Sequence, residues 1–252
     1  MDTIHHAETE HILHGARIAI TGGTSGLGLA LVRECVARGA AVAFVARTRE
    51  RVDEVARQTG ARGIVGDVAR KDDIHPLALQ ILARLGGLDV LVNNASSLGP
   101  TPLALFGDTE CEDFEAALAA NVLGPFRLTK ALLGALAASA REGHGAVVLN
   151  VSSDAAINPY PRWGAYGASK AALHHMSRIW NEELVDDGVR FISIDPGDMD
   201  TPLHALAVPD ADPAALKRPE TAARELADRL ALTLTELHEA HETAPHDLAP
   251  IA

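Results

Sequence analysis

Apolar positions along the chain follow two alternating rhythms. Short runs rich in Val, Ile, Ala and Leu fall at residues 17–21, 41–46, 62–65, 88–92, 146–151 and 190–194. Their length and β-branched content predict buried strands. The longer segments between them carry apolar residues three and four apart, which predicts amphipathic helices over 26–38, 49–58, 71–84, 111–121, 125–141 and 163–187. A last helix is expected over 219–241, opened by Pro219 at its first turn. Strands alternating with helices imply parallel strands joined by helical crossovers, an α/β doubly wound sheet of about six strands. In such a sheet ligands bind beyond the carboxyl ends of the strands. Function is therefore expected in the loops that follow strands, above all the long ones at 93–110 and 195–218.

Length changes this picture little. A chain of 252 residues buries about 70 to 75% of its unfolded surface, so one domain needs no metal or disulfide. We expect an N-terminal extension over 1–15, one domain over 16–241 and a tail over 242–252. Thirty-four acidic residues against 22 basic ones leave a net charge of -12, and no basic run could neutralise consecutive phosphates. A nucleic-acid partner is not expected. Cys35 and Cys111 lack a second Cys or a His at metal-ligand spacing. The stretch 131–138 falls far short of the roughly 20 apolar residues a bilayer requires, and the acidic start lacks a signal-peptide n-region. The expectation is a cytoplasmic protein with no membrane partner. His5, His6, His11 and His14 are too irregular for a metal tract and read as an exposed lead-in, so no metal site is expected.

The chemistry-bearing residues are spread along the chain. The first strand runs into Thr21-Gly22-Gly23-Thr24-Ser25-Gly26-Leu27-Gly28, followed at once by a helix. Gly22 permits a tight turn, Gly26 lets the backbone approach a pyrophosphate, and Gly28 lets helix pack on strand, while the helix N-terminus offers free N–H groups to an anion. The second strand ends at Arg47-Thr48, where the adenosine ribose would lie. An acidic residue there would repel a 2′-phosphate. Arg47 offers that phosphate a planar fork instead, which favours NADP(H) and leaves NAD(H) possible. Tyr166 and Lys170 sit four apart on one helix face. A phenol serving as an acid–base group near pH 7 must fall about 3 units from its reference value, which a neighbouring ammonium and a positive nicotinamide ring could together supply. The fifth strand ends in Ser152-Ser153, and either hydroxyl could donate to a substrate oxygen, with Ser153 preferred. Tyr160, Trp163 and Leu203, with Ser97, are the expected substrate contacts, implying a small or medium apolar substrate, although the same apolar residues could simply pack a lid onto its domain.

Taken in order, these residues resemble the short-chain dehydrogenase/reductase family over about residues 16–201. The resemblance is carried by the glycine turn, Gly66-Asp67-Val68, Asn93-Asn94-Ala95, Asn121, Ser153, Tyr166-Gly-Ala-Ser-Lys170 and Pro196-Gly197. It implies a three-layer Rossmann-type fold and a homodimer or homotetramer. It further implies that Tyr166 transfers the proton, that Lys170 binds the nicotinamide ribose and acidifies Tyr166, that Ser153 orients the carbonyl, and that Asn121 holds a water in a relay through Lys170. By the same likeness Asp67 and Val68 contact adenine, Asn93 and Ala95 border the ribose, and Pro196, Gly197, Met199 and Thr201 cover the nicotinamide. Ser96 departs from the family, which commonly has glycine there, and 232–252 reads as helix and Pro-containing tail where many members have a seventh strand. The activity implied is carbonyl reduction or alcohol oxidation. A cofactor-binding regulatory or scaffold protein without turnover is the alternative, and an epimerase or dehydratase that reuses its cofactor a third.

Overall fold

A computed structural model describes residues 13–243. Six parallel strands form one sheet in the order β3-β2-β1-β4-β5-β6: β1 (Arg17–Thr21), β2 (Ala41–Ala46), β3 (Arg62–Val65), β4 (Val90–Asn93), β5 (Ala146–Val151) and β6 (Val189–Ile194). Strand order reverses between β1 and β4, so the loops leaving these two strands diverge and open a crevice at their carboxyl ends.

Parallel strands are buried on both faces. Along β1, Ile18 and Ile20 point into one apolar layer and Ala19 into the other. The first layer takes α1 (Gly26–Ala37), α2 (Arg49–Thr59) and the long α8 (Pro219–Thr243). Helices α3 (Ile74–Leu85), α5 (Gly124–Arg141) and α6 (Gly164–Leu184) supply the second. Leu226, Leu230 and Leu234 of α8 are fully buried in the first layer together with Leu27 and Leu31 of α1. The C-terminal region is thus helix, as its sequence pattern predicts, and covers the face beside β1 and β5.

Three differences from the sequence pattern are local. The fourth strand starts at Val90 instead of Leu88, and just before it the Asp89 carboxylate accepts from the Arg17 backbone N–H at 2.7 Å. Helices expected over 111–121 and 125–141 form one rod, with α4 (Cys111–Leu118) joined to α5 by a π-helical turn at Ala119–Leu123. Such one-turn insertions favour functional positions. The loop over 195–218 contains a short helix, α7 (Pro202–Ala207), capped where the Thr201 hydroxyl accepts from the His204 N–H at 3.2 Å. Cys35 is buried in the core and Cys111 is exposed. Among the described residues no helix is long and apolar enough to cross a membrane. His14 is exposed, while His5, His6 and His11 lie outside the described residues, as does the tail beyond Thr243.

Candidate active site

The crevice is a single groove of about 1010 Å³ running across the carboxyl edge of the sheet. That is the upper end of the usual range for small-molecule sites. Its floor is the glycine turn. Gly22 has φ +72 and Gly26 φ +49, both in the left-handed region that glycine tolerates. A Cβ on Gly28 would overlap the Gly22 carbonyl oxygen and the Asn94 side-chain amide. Gly28→Ala is therefore expected to force the turn apart, cost about 1 to 3 kcal/mol of stability and weaken dinucleotide binding, read together by urea unfolding and cofactor titration.

The N-terminus of α1 has no side-chain cap at Ser25 and no acidic residue in its first turn. Its N–H groups and partial positive charge therefore stay available to an anion. Gly22, Thr24, Ser25, Gly26, Leu27 and Gly28 all line the groove here, so this end fits the pyrophosphate of a dinucleotide. Arg47 and Thr48 line the next stretch and are exposed. Arg51 joins them, one helical turn along α2, a position whose spacing from Arg47 was the available signal but which the sequence reading did not single out. Asp67 and Val68 form the opposite side, with Asp67 Oδ1 accepting from the Ala69 N–H at 2.9 Å.

Three expected residues stand behind the wall instead of on it. Thr21 is buried, and its hydroxyl accepts from the Asn94 and Ala95 N–H groups at 3.0 Å each, tying the turn after β4 to the end of β1. Asn93 belongs to β4 and faces inward, its amide donating to Asn150 Oδ1 at 2.8 Å and to Thr129 Oγ1 at 3.3 Å. The groove position expected for Asn93 is taken by Asn94, beside Ala95, because the chain leaves the sheet between them. Asn121 is fully buried on the π turn. Its Oδ1 accepts from Ser97 N at 2.8 Å and Ser96 Oγ at 3.2 Å, and its Nδ2 donates to Ser97 O at 2.7 Å and Ser169 Oγ at 2.8 Å.

At the far end Ser153, Tyr166 and Lys170 converge with Ser96 and Ser97. Tyr166 and Lys170 lie on successive turns of α6, and Lys170 Nζ is 5.5 Å from the Tyr166 ring centroid. The ammonium is almost wholly buried and donates to Val151 O at 2.7 Å. Burial pulls its pKa down to about 8, against the opposing pull of Asp195. Burial likewise pushes the Tyr166 phenol up to about 12. Hydrogen bonding to Ser153 and Ser96 favours the phenolate, while the Asp195 and Asp154 carboxylates disfavour it. Desolvation is thus the largest influence on this phenol, and it favours the protonated form.

The substrate side is mixed. Trp163 packs edge-on against Tyr166 with centroids 5.6 Å apart, and Leu98, Leu203 and Ala207 extend the apolar wall. Tyr160 is exposed and its hydroxyl donates to Asp154 at 2.6 Å. Pro196, Gly197, Met199 and Thr201 line the same groove, and Thr201 approaches Gly26, so the 195–218 segment closes over the glycine turn. A bridge between Met199 and Lys217, with Lys217 Nζ donating to Pro196 O at 3.1 Å, holds that segment in place. Asp195, at the carboxyl end of β6, and His204, whose Nδ1 is buried without a partner, are further wall residues that no local pattern marked.

Comparison with known proteins agrees with this architecture. The family described as short chain dehydrogenase matches residues 16–212. An oxidoreductase of Mycobacterium tuberculosis is 34% identical over 211 residues, 81% of this chain. The chain spans only 60% of that relative's length. A short-chain dehydrogenase from Burkholderia cenocepacia, solved with NADP, superposes with a TM-score of 0.76 at 26% identity, covering 86% of this chain and 91% of that one. A 3-ketoacyl-(acyl-carrier-protein) reductase from Brucella melitensis, solved with NADH, gives 0.80 at 27% identity, covering 85% and 90%.

Proposed function

The chain belongs to the short-chain dehydrogenase/reductase family, and from that premise we propose that it is an NADP(H)-dependent oxidoreductase interconverting a carbonyl and a secondary alcohol on a small or medium, largely apolar substrate. One observation carries the reading: Ser153, Tyr166 and Lys170 meet at one end of a groove whose other end is an uncapped helix N-terminus over a glycine turn. A bound nicotinamide dinucleotide would supply the hydride, and in its oxidised form a positive ring.

The residues then divide the work. In reduction Tyr166 Oη hands its proton to the substrate oxygen as negative charge develops there, and it takes the proton back in oxidation. A protonated phenol at neutral pH suits the reductive direction, which NADPH also favours. Ser153 Oγ, free to rotate from its 3.2 Å contact with Asp154 Oδ1, donates to the same substrate oxygen. Lys170 has one N–H fixed on Val151 O and others left to hold a ribose hydroxyl and to counter the charge on the phenolate. Asn121 keeps the loop at Ser96 and Ser97 in register with the first two turns of α6.

Arg47 and Arg51 support NADP(H) over NAD(H), because the groove there carries two guanidinium groups and no carboxylate from the end of β2. Relatives solved with NADP and with NADH both occur, so the preference rests on these two side chains. Arg47→Asp should weaken NADPH by roughly 10- to 100-fold, the worth of a charge-assisted hydrogen bond to phosphate, and leave NADH within a few-fold. Equal losses for both cofactors, measured by fluorescence titration, would remove Arg47 from the phosphate site. The activity itself is tested by following NADPH oxidation over a panel of aliphatic, aromatic and cyclic ketones and aldehydes. Alcohol formed in step with NADPH consumed is the expected result. Product without net NADPH consumption would point to a reaction that recycles the cofactor, and no product across the panel to a binding role.

A further inference from the structure

We propose that Ser96 is a positioning residue for the reactive phenol, its hydroxyl bridging the Tyr166 side chain and the buried Asn121 amide and turning to steady the phenolate once Tyr166 has released its proton. The inference deepens the proposed reaction and rests on Tyr166 being the proton-transferring group.

The geometry around Ser96 is a closed circuit. Asn121 Nδ2 donates to Ser97 O at 2.7 Å and to Ser169 Oγ at 2.8 Å, and Ser169 Oγ donates to Tyr166 O at 2.7 Å. Asn121 Oδ1 accepts from Ser97 N at 2.8 Å and from Ser96 Oγ at 3.2 Å. The loop after β4, the π turn and the first two turns of α6 are therefore locked together, with Ser96 at the groove end of the lock. Both Asn121 amide protons are committed. Ser96 lines the same end of the groove as Tyr166, and its hydroxyl is one of the groups that hydrogen bond to the phenol.

A hydroxyl carries one proton and two lone pairs. Asn121 Oδ1 has no proton to give, so Ser96 donates to it and keeps lone pairs that the Tyr166 O–H can use. When the phenol loses its proton, the same hydroxyl can swing to donate to the phenolate. Asn121 Oδ1 then remains satisfied by Ser97 N, so the swing leaves no buried acceptor empty. Other groups acting on the phenol come from three elements: Lys170 from α6, Ser153 and Asp154 from the turn after β5, and Asp195 from the end of β6. Ser153 faces the substrate and must serve the substrate oxygen in the same step. Ser96 has no such competing duty, and a glycine in its place would offer no hydroxyl.

The chain has two tyrosines, so Tyr160→Phe leaves Tyr166 as the sole one. In that background, protein labelled with 13C at tyrosine Cζ and mixed with NADP+ reports the Tyr166 ionisation directly by NMR across pH. Ser96→Ala should raise the titration midpoint by about one unit, the scale of one lost hydrogen bond to an ionised group, and Ser96→Thr should restore it. The acidic limb of kcat/KM for alcohol oxidation should move the same way while KM for NADP+ stays unchanged. Should the alanine variant lose its fold, Ser96→Gly, which also lacks the hydroxyl, supplies the comparison. A folded variant with an unmoved midpoint overturns the role of Ser96. A midpoint that moves in a protein whose turnover survives Tyr166→Phe overturns the proposed reaction instead.

Discussion

Tyr166→Phe should lower turnover by about 10²- to 10⁴-fold, the usual contribution of a positioned acid–base group, while NADPH affinity stays within about twofold. The substitution removes one oxygen and leaves the ring. Phenylalanine keeps the edge-on packing against Trp163 and the contacts of the small apolar cluster around Leu98 and Ala155, so the wall of the groove holds its shape. Cofactor titration and steady-state turnover on the same preparation separate the two effects. Turnover within tenfold of the wild-type value would mean that another group moves the proton, and the proposed reaction would lose its acid.

Lys170→Met is expected to act on both chemistry and stability. Turnover should fall by about 10²-fold or more, because the phenolate loses the ammonium beside it. Stability should respond to pH in a way that identifies the buried amine. In the unfolded chain Lys170 titrates near 10.5, and burial brings it to about 8 in the fold. Between these values the unfolded chain binds more protons, so wild-type stability rises from pH 8 to 10.5 and is correspondingly lower below pH 8, by on the order of 3 kcal/mol. Methionine has nothing to titrate, and it leaves Val151 O without its donor, at about 1 kcal/mol. The variant should therefore be the more stable protein at pH 7 and lose that advantage by pH 10.5. Taking the difference between the two proteins at each pH cancels the opposite trend from Cys35, whose burial pushes its thiol up to about 12. Parallel pH profiles in urea unfolding would show that the Lys170 amine is not held in the low-dielectric environment described above.

Much of the site was legible because its signals are local. Gly22, Gly26 and Gly28 mark a turn because they fall between a first strand and a first helix, and a four-residue spacing on a helix places Tyr166 and Lys170 on one face whatever surrounds them. Ser153 follows from the end of a run of six apolar-rich strand residues, β5. Where the reading slipped, the deciding contact was distant in sequence. Choosing between Asn93 and Asn94 as the groove residue requires knowing where β4 leaves the sheet, and that is fixed by its pairing with β5 and by Asn150, 57 residues away. Arg51 reaches the groove only because α2 docks beside β2 and β3. The three-residue interruption between two expected helices hid a π turn, since backbone hydrogen-bond register leaves no mark in side-chain pattern.

The sequence alone therefore determined the layering, the helical crossovers between parallel strands and which side chains are proposed as reactive, because burial periodicity and turn chemistry act within a few residues. Only the tertiary structure decided the surroundings those side chains meet: desolvation that favours the protonated Tyr166 and lowers the pKa of Lys170, the Asp154 and Asp195 carboxylates that disfavour the phenolate, and the hydrogen bond from Ser96 to Asn121 at the same end of the groove. Ionisation depends on the dielectric and the charges brought in from other strands, and those are set by packing across the whole sheet.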